Sequence, residues 1–319
     1  VEYTNETSPA RAMATIIKVF GMSRITDKYG PIPYSKFGTG IQVAYDSQKD
    51  VYDSFFEELS NAIEVLTSYN SRTSEPYLED YDYIYNGNVK NWIKFANSLR
   101  LRLAMRISYV NQTKAQTEAT AAIDHTIGLM TSVSDNAVLK QGVSFSFINE
   151  WWEAFESFND FRMSATMDCY LKGLQDPRLS SYFKVAKKDG AYHGVRNGQT
   201  SRSQGTLSEA ASSMNVGQAS SILWMDAAET YFLLAEAKLR LNLGDKTVKE
   251  YYEEGVKTSF SSKGASGAES YLDNDVNVPS TSFIDPTNGR NTDVSRMVST
   301  LTVKWDESAS PDKKLERIM

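Results

Sequence analysis

The chain has 319 residues, 41% of them hydrophobic, which is enough to bury one large core or two ordinary ones. A net charge of −6 without any long basic run argues against a nucleic-acid partner, and no apolar stretch reaches the about 18 residues of a membrane-spanning helix. A single cysteine, Cys169, and two histidines, His125 and His193, exclude a disulfide framework within the chain and leave too few soft ligands for a zinc site.

The first helix starts with Ser8 as N-cap and Pro9 at its first position, and stops at Gly30-Pro31. A loop rich in tyrosines and small residues, GPIPYSKFGTGIQVAYDS, follows. The second helix begins at Asp46 or Ser47, where Ser47 and Asp50 approximate a capping box. Its apolar residues Val51, Phe55, Leu59, Ala62, Ile63 and Leu66 fall at steps of three and four, which makes one buried stripe. A third helix, NWIKFANSLRLRLAMRISYV, repeats the pattern through Trp92, Phe95, Ala96, Leu99, Leu103 and Ile107. A fourth runs over about Thr113 to Thr126. Beyond it the texture changes. Residues 131–221 hold shorter periodic runs, among them DFRMSATMDCYLKGL, in which Cys169 reads as a small buried hydrophobe. SSYFKVA and AYHGV suggest a strand pair around Lys188-Asp189-Gly190, and NGQTSRSQGTLSEAASSMNVGQASS reads as a loop. Helical texture returns in ILWMDAAETYFLLAEAKLRLNLGDKTVKEYYEEGVKTSF. There Ala227, Ala228, Ala235 and Ala237 permit close packing, and Gly244 ends the first helix of a pair. The pair is similar to a tetratricopeptide unit, although no strict repeat period is visible. Residues 263–319 are loop-rich until Ser310 and Pro311 open a last helix. Val1 is not an initiator methionine and that last helix reaches no stop signal, so the ends read as those of a piece of a longer protein. The fold class expected is mainly α: antiparallel, tetratricopeptide-like helix pairs with long irregular loop insertions and minor β. The helical scaffold lies mainly in 8–128 and 222–260, and the loop-rich part in 131–221 and 263–308.

Several segments together resemble the SusD/RagB family of outer-membrane nutrient-binding lipoproteins, in its SusD-like branch. They are DKYGPIPYSKF followed by YDSQKDVYDSFFEELSNAIEVL, then YNGNVKNWIKFANSLRLRLAMRIS, DPRLSSYF, MDAAETYFLLAEAKLRLNLGD and VKWDESASPDKKLERIM. The matches run in order from about residue 10 to 319. The resemblance implies a single domain over 1–319, partial at both ends, with helix pairs as a rigid back and the loops as the working face. It implies a cell-surface protein that captures glycans for a SusC-like TonB-dependent transporter, held at the outer membrane through an N-terminal lipid anchor absent from this chain. A peptide-binding, RagB-like uptake protein of the same fold is the alternative. No cofactor is expected. A structural calcium in the DNDVN stretch, Asp273 to Asn277, is the one metal the resemblance brings into view, because its side chains are suitable oxygen ligands.

Sugar recognition needs flat aromatic faces beside amides, carboxylates and arginines, and the richest supply is SFSFINEWWEAFESFND, residues 144–160. Trp151 and Trp152, with Asn149, are the first candidates. On a helix adjacent residues point about 100° apart, so one indole faces solvent while the other is core, or else both are buried. The second candidate is DGAYHGVRNGQ, with Tyr192, Arg196 and Asn197 projecting from a glycine-rich turn, or a bare loop without a partner. Tyr29, Tyr34 and Tyr45 read as packing residues. Arg100, Arg102 and Arg106 read as partners of neighbouring carboxylates rather than an anion site. Glu229 and Glu236 are about 10.5 Å apart along a helix axis, beyond the separation that glycosidases use, and Glu236 with Arg240 reads as a helix salt bridge. No catalytic pair is expected, and the protein reads as a binder rather than an enzyme. A helical glycoside hydrolase and a plain scaffold for protein partners are the competing classes.

Overall fold

The computed structural model describes residues 5, 7–198 and 203–319. The chain divides into two compact units, one of residues 1–138 and 224–246, the other of residues 139–223 and 247–319.

The first unit is built from four consecutive helices and one late arrival. Helix α1 (Pro9–Tyr29) has Ser8 at its N-cap and ends at Gly30, whose N–H still reaches the Thr26 carbonyl and whose φ of 77° turns the chain out of the helix. Helix α2 (Gln48–Arg72) begins at Ser47, which accepts the Asp50 N–H as the sequence requires. Every residue of its expected stripe, Val51, Phe55, Leu59, Ala62, Ile63 and Leu66, is buried. Helices α3 (Val89–Ile107) and α4 (Gln112–Ile123) are capped by the Asn88 and Asn111 side chains. α1 packs on α2, α2 on α3 and α3 on α4. Ala115, Ala119 and Ala122 give α4 a smooth buried face, which lets it approach closely. Helix α9 (Ala227–Leu241) joins this unit by packing on α3. Its stop falls at Asn242, two residues before Gly244: Asn242 takes the left-handed conformation, and its N–H reaches the Ala237 and Lys238 carbonyls. The chain leaves the first unit through strand β1 (Ala137–Leu139) and returns through β2 (Ile222–Met225), the two strands of one small sheet.

The three helix arginines are paired as read. Arg100 meets Glu118 at 2.6 Å, Arg102 grips both oxygens of Glu229 at 2.6 and 2.7 Å, and Arg106 reaches Asp27 at 2.9 Å. Glu236 pairs with Arg240 at 2.6 Å. The tyrosine-rich loop after α1 is organised by Asp46. Its carboxylate accepts the Tyr34 and Ser35 N–H groups and the Ser35 hydroxyl, and these hydrogen bonds hold its pKa below the ordinary carboxylate value. Tyr34 packs edge-on against Phe55 and donates to Glu58 at 2.6 Å. Tyr29 and Tyr45 do not pack as expected. Both are largely exposed, because the loop turns their rings outward with Phe37 and Ile41.

In the second unit short elements are joined by irregular chain: α5 (Glu150–Trp152), α6 (Ala165–Gly173), α7 (Leu179–Tyr182), α8 (Gln204–Ala210), α10 (Val248–Ser262), α11 (Ala268–Leu272) and α12 (Pro311–Ile318). Strands β3 (Ser282–Ile284) and β4 (Asn291–Asp293) form an antiparallel ribbon with Phe283 opposite Thr292. α6 packs on β3, and Cys169, Phe283 and Val294 form a core cluster, so the cysteine is buried as read. The Gly173 backbone runs so close to the chain that an added Cβ would sit 2.3 Å from the Ser280 nitrogen. Asp176 and Arg178 of the DPRL run form a buried, two-pronged ion pair. Tyr271 donates to Asp176 at 3.0 Å, and Arg178 donates to Ser259 at 2.7 Å and stacks over Phe260.

Two sequence readings fail here. The strand pair of SSYFKVA with AYHGV does not form: Leu179–Tyr182 is helical, Phe183 bridges Met214, and only the Ala186 N–H reaches across to the Ala191 carbonyl. The Ser/Gly-rich stretch read as a loop contains α8, started by Ser203 accepting the Thr206 N–H. Its residues 199–202 lie outside the described residues. Among the described residues no helix is long and apolar enough to cross a membrane.

Candidate ligand-binding surface

The aromatic segment 141–162 belongs wholly to the second unit. Its first part is a closed loop. Gln141 uses both ends of its amide on Phe147, donating to the carbonyl at 2.7 Å and accepting the N–H at 3.0 Å. The Gly142 N–H reaches the Phe145 carbonyl. This fold-back brings the Phe145 and Phe147 rings to 5.6 Å. Asn149 then caps α5, its side-chain oxygen accepting the N–H groups of Trp151 and Trp152 at 2.9 and 3.2 Å.

The helix does not continue as an α-helix. Residues Glu153–Ser157 form a π turn, closed by the Phe158 N–H on the Glu153 carbonyl at 2.8 Å. Asn159, at φ 56°, reverses the chain. Arg162 fastens the exit, donating to the Phe155 and Phe161 carbonyls and to the Asn159 side chain. The outcome is a short segment with four large apolar side chains turned to solvent: Trp151 is 52% exposed, Phe158 and Phe161 are each 55% exposed, and Ile148 is 49% exposed. Trp152 is partly buried, so neither indole is lost to the core and Trp151 is the more open of the two. Soluble proteins rarely leave such a run uncovered without a use for it.

Asn149 is not on this surface. It is 1% exposed, and its side-chain nitrogen donates inward to the Ser220 carbonyl at 3.0 Å. Polar groups at the surface come from Glu150 and Asp160, both exposed, and from Glu156. Burial alone would raise the Glu156 carboxyl. Hydrogen bonds from Ser213 at 2.6 Å and Lys184 at 3.0 Å, with the positive charges nearby, outweigh it and lower the pKa.

The second candidate, residues 189–199, is an anchored crossing rather than a bare loop. The Gly194 N–H donates to the buried Asp168 carboxylate at 2.6 Å, and an added Cβ at Gly194 would lie 2.4 Å from the Ser164 carbonyl oxygen. Lys172 holds the Tyr192 carbonyl, His193 exchanges hydrogen bonds with Ser212, and Val195 pairs with Ser164. The His193 ring is hydrogen-bonded to Asp189 at 2.9 Å within the turn. Tyr192 is half-buried, whereas Arg196 and Asn197 are exposed just past the anchor; Gln199 lies outside the described residues. The Val195–Ser164 bridge sets Arg196 and Asn197 beside the chain that leaves Arg162. Gln204, at the start of α8, donates to the Phe158 carbonyl and to Asp160. The second stretch thus pairs with residues 163–165, directly after the aromatic segment, and α8 reaches back to its end at residues 158 and 160. Sequence reasoning missed Phe161, Gln204 and Ser220. Phe161 stood one residue past the aromatic run, and the other two carried no signal in a stretch rich in serine and glycine.

Among the described residues no three His, Cys, Asp or Glu side chains gather as metal ligands. In the DNDVN stretch Asn274 accepts the Val276 and Asn277 N–H groups, and Asp275 pairs with Lys304 at 3.2 Å.

The family model for SusD and RagB outer membrane lipoproteins matches residues 2–319. The chain belongs to the SusD/RagB family. Its backbone follows those of solved SusD homologues throughout. A chitin-binding homologue from Flavobacterium johnsoniae is 38% identical with a TM-score of 0.90, over 97% of this chain and 64% of that one. A SusD homologue from Bacteroides uniformis is 39% identical with a TM-score of 0.89, over 99% and 65%. One from Bacteroides thetaiotaomicron is 37% identical with a TM-score of 0.85, over 97% and 63%. The chain thus spans just under two-thirds of the length of these SusD homologues. Comparison with curated proteins finds no match.

Proposed function

We propose that this SusD/RagB chain is the glycan-binding part of a cell-surface protein that captures oligosaccharides or polysaccharides and passes them to a SusC-like TonB-dependent transporter, with no covalent chemistry of its own. The observation that carries this reading is the half-exposed Trp151 in one short segment with the exposed Phe158 and Phe161, since an indole face stacks on the C–H surface of a sugar ring. Two further points support it. One relative is a chitin-binding SusD homologue. Glu229 and Glu236, the carboxylates at first sight suited to hydrolysis, are each engaged by an arginine. Arg196 and Asn197, exposed just past the Val195–Ser164 bridge, are the polar residues proposed to meet sugar hydroxyls. The family's description as outer membrane lipoproteins supports a place on that membrane, through a lipid anchor outside these 319 residues.

Calorimetric titration with chito-oligosaccharides, soluble polysaccharides and a peptide mixture tests the reading. Saturable glycan binding, weakened about tenfold or more in Trp151→Ala (about 1.4 kcal/mol or more) with no sugar released, is the expected result. Binding of peptides with no glycan response would assign the surface to the peptide-uptake alternative.

A further inference from the structure

Arg162 fastens the exit of the aromatic segment, whereas its start, which carries Trp151, is held by one side chain. The Asn149 oxygen accepts both tryptophan N–H groups, while its nitrogen donates to the Ser220 carbonyl at 3.0 Å and lies 3.5 Å from that of Ser221. Its backbone N–H donates to the Gln218 carbonyl at 2.8 Å. The chain it holds is itself closed, by the Ser220 N–H on the Gly217 carbonyl and the Gly217 N–H on the Ser220 hydroxyl. α5 has only three residues. A helix that short has no stability of its own, so its direction is set by what grips its first turn.

We propose that Asn149 is the positioning residue of the sugar platform: through the closed turn 217–221 it fixes the direction in which Trp151 faces a glycan. This rests on the glycan-binding reading above. The role differs from ordinary capping. A cap needs only the oxygen, and aspartate caps as well as asparagine. The link to Ser220 needs the N–H donor, and aspartate has none; its carboxylate would face a carbonyl oxygen instead. Asn149→Asp therefore keeps the cap and breaks the link, and Ser220→Ala loosens the same turn from its other side by removing the hydroxyl that closes it.

The test is titration with an N-acetyl chito-oligosaccharide on wild type, Trp151→Ala, Asn149→Asp, Ser220→Ala and the double variant Asn149→Asp/Trp151→Ala, with thermal melting to show that each is folded. Asn149→Asp is expected to bind about tenfold more weakly and Ser220→Ala a few-fold more weakly. The double variant should be no weaker than Trp151→Ala alone, because positioning acts only through the ring it positions. Wild-type affinity in Asn149→Asp and Ser220→Ala, while Trp151→Ala has lost binding, would overturn the positioning role and leave the platform standing. Losses that add in the double variant would also overturn it, as they would show that Asn149 acts independently of Trp151. Undiminished binding in Trp151→Ala would instead refute the platform itself.

Discussion

The two units solve the problem of holding a chain in opposite ways. In the first, periodic apolar stripes bury Phe55, Leu59, Phe95 and Leu99 along long helices, and many equivalent contacts share the load. Its ion pairs sit along the helix flanks, and Arg106, paired with Asp27, remains more than half exposed. In the second unit little regular structure is available, and single polar side chains pin irregular backbone: Asp176 and Arg178, Asp168 under Gly194, Gln141 around Phe147, Asn149 under the tryptophans. Periodic packing turns its large side chains inward. Polar pinning leaves them free to turn out, as Trp151, Phe158 and Phe161 do in the second unit and Phe37 does in the Asp46 loop of the first.

The sharpest way to break this comparison is to remove one pin. Asp176→Ala would leave the Arg178 guanidinium buried without its carboxylate, and a loss of about 3–5 kcal/mol in urea unfolding is expected. Arg106→Ala in the first unit should cost less than about 1 kcal/mol, as exposed pairs do. Equal losses would abolish the distinction. A second contrast concerns an exposed aromatic in the first unit. Phe37 is more exposed than Trp151 but sits in the loop governed by Asp46, so Phe37→Ser should leave glycan titrations unchanged.

Smaller effects sharpen the account of that loop. Tyr34→Phe removes the hydrogen bond to Glu58 but keeps the edge contact with Phe55, for an expected loss of about 1 kcal/mol in the same unfolding assay. The Asp46 contribution should depend on pH in one direction only. Its folded pKa is lowered, so as pH falls the unfolded chain takes up the proton first. The stabilisation is then complete above about pH 4 and lost below it, through the folded pKa. Hydrogen exchange at the Tyr34 and Ser35 amides should quicken over that range in wild type, whereas in Asp46→Asn it should be fast and unaffected by acid beyond the intrinsic exchange rate.

The long helices were legible because caps and apolar period agree. Ser8 with Pro9, Ser47 with Asp50, and Ser310 with Pro311 each mark a start that the backbone adopts. The readings that failed share a physical cause. Alternation in SSYFKVA and AYHGV looks like a hairpin, but those backbone groups find partners at Ser164, Ser212 and Met214, which no local pattern discloses. α8 is hidden in a composition that suits loops, and Gly244 looked the better helix stop until Asn242 took the left-handed position. For the site, the aromatic stretch was legible as a supply of rings. Which side chains face outward was not, because it depends on a π turn and on Asn149 pointing in. The arginine pairings were read correctly in kind, since a cation on a half-buried helix needs an anion, but only the fold names Glu118, Glu229 and Asp27.

The π turn at Glu153–Ser157 closes over five residues where an α turn closes over four. One residue therefore stands between this geometry and an ordinary helix. Shortening the segment by a single position would let four residues at about 100° each replace five in the wider turn, so that Phe158 and Phe161 would keep nearly their present bearings relative to Trp151. The extra residue is absorbed within the turn itself, so a codon lost here would alter the side chains that line the turn before it altered the direction of the aromatic residues on either side of it.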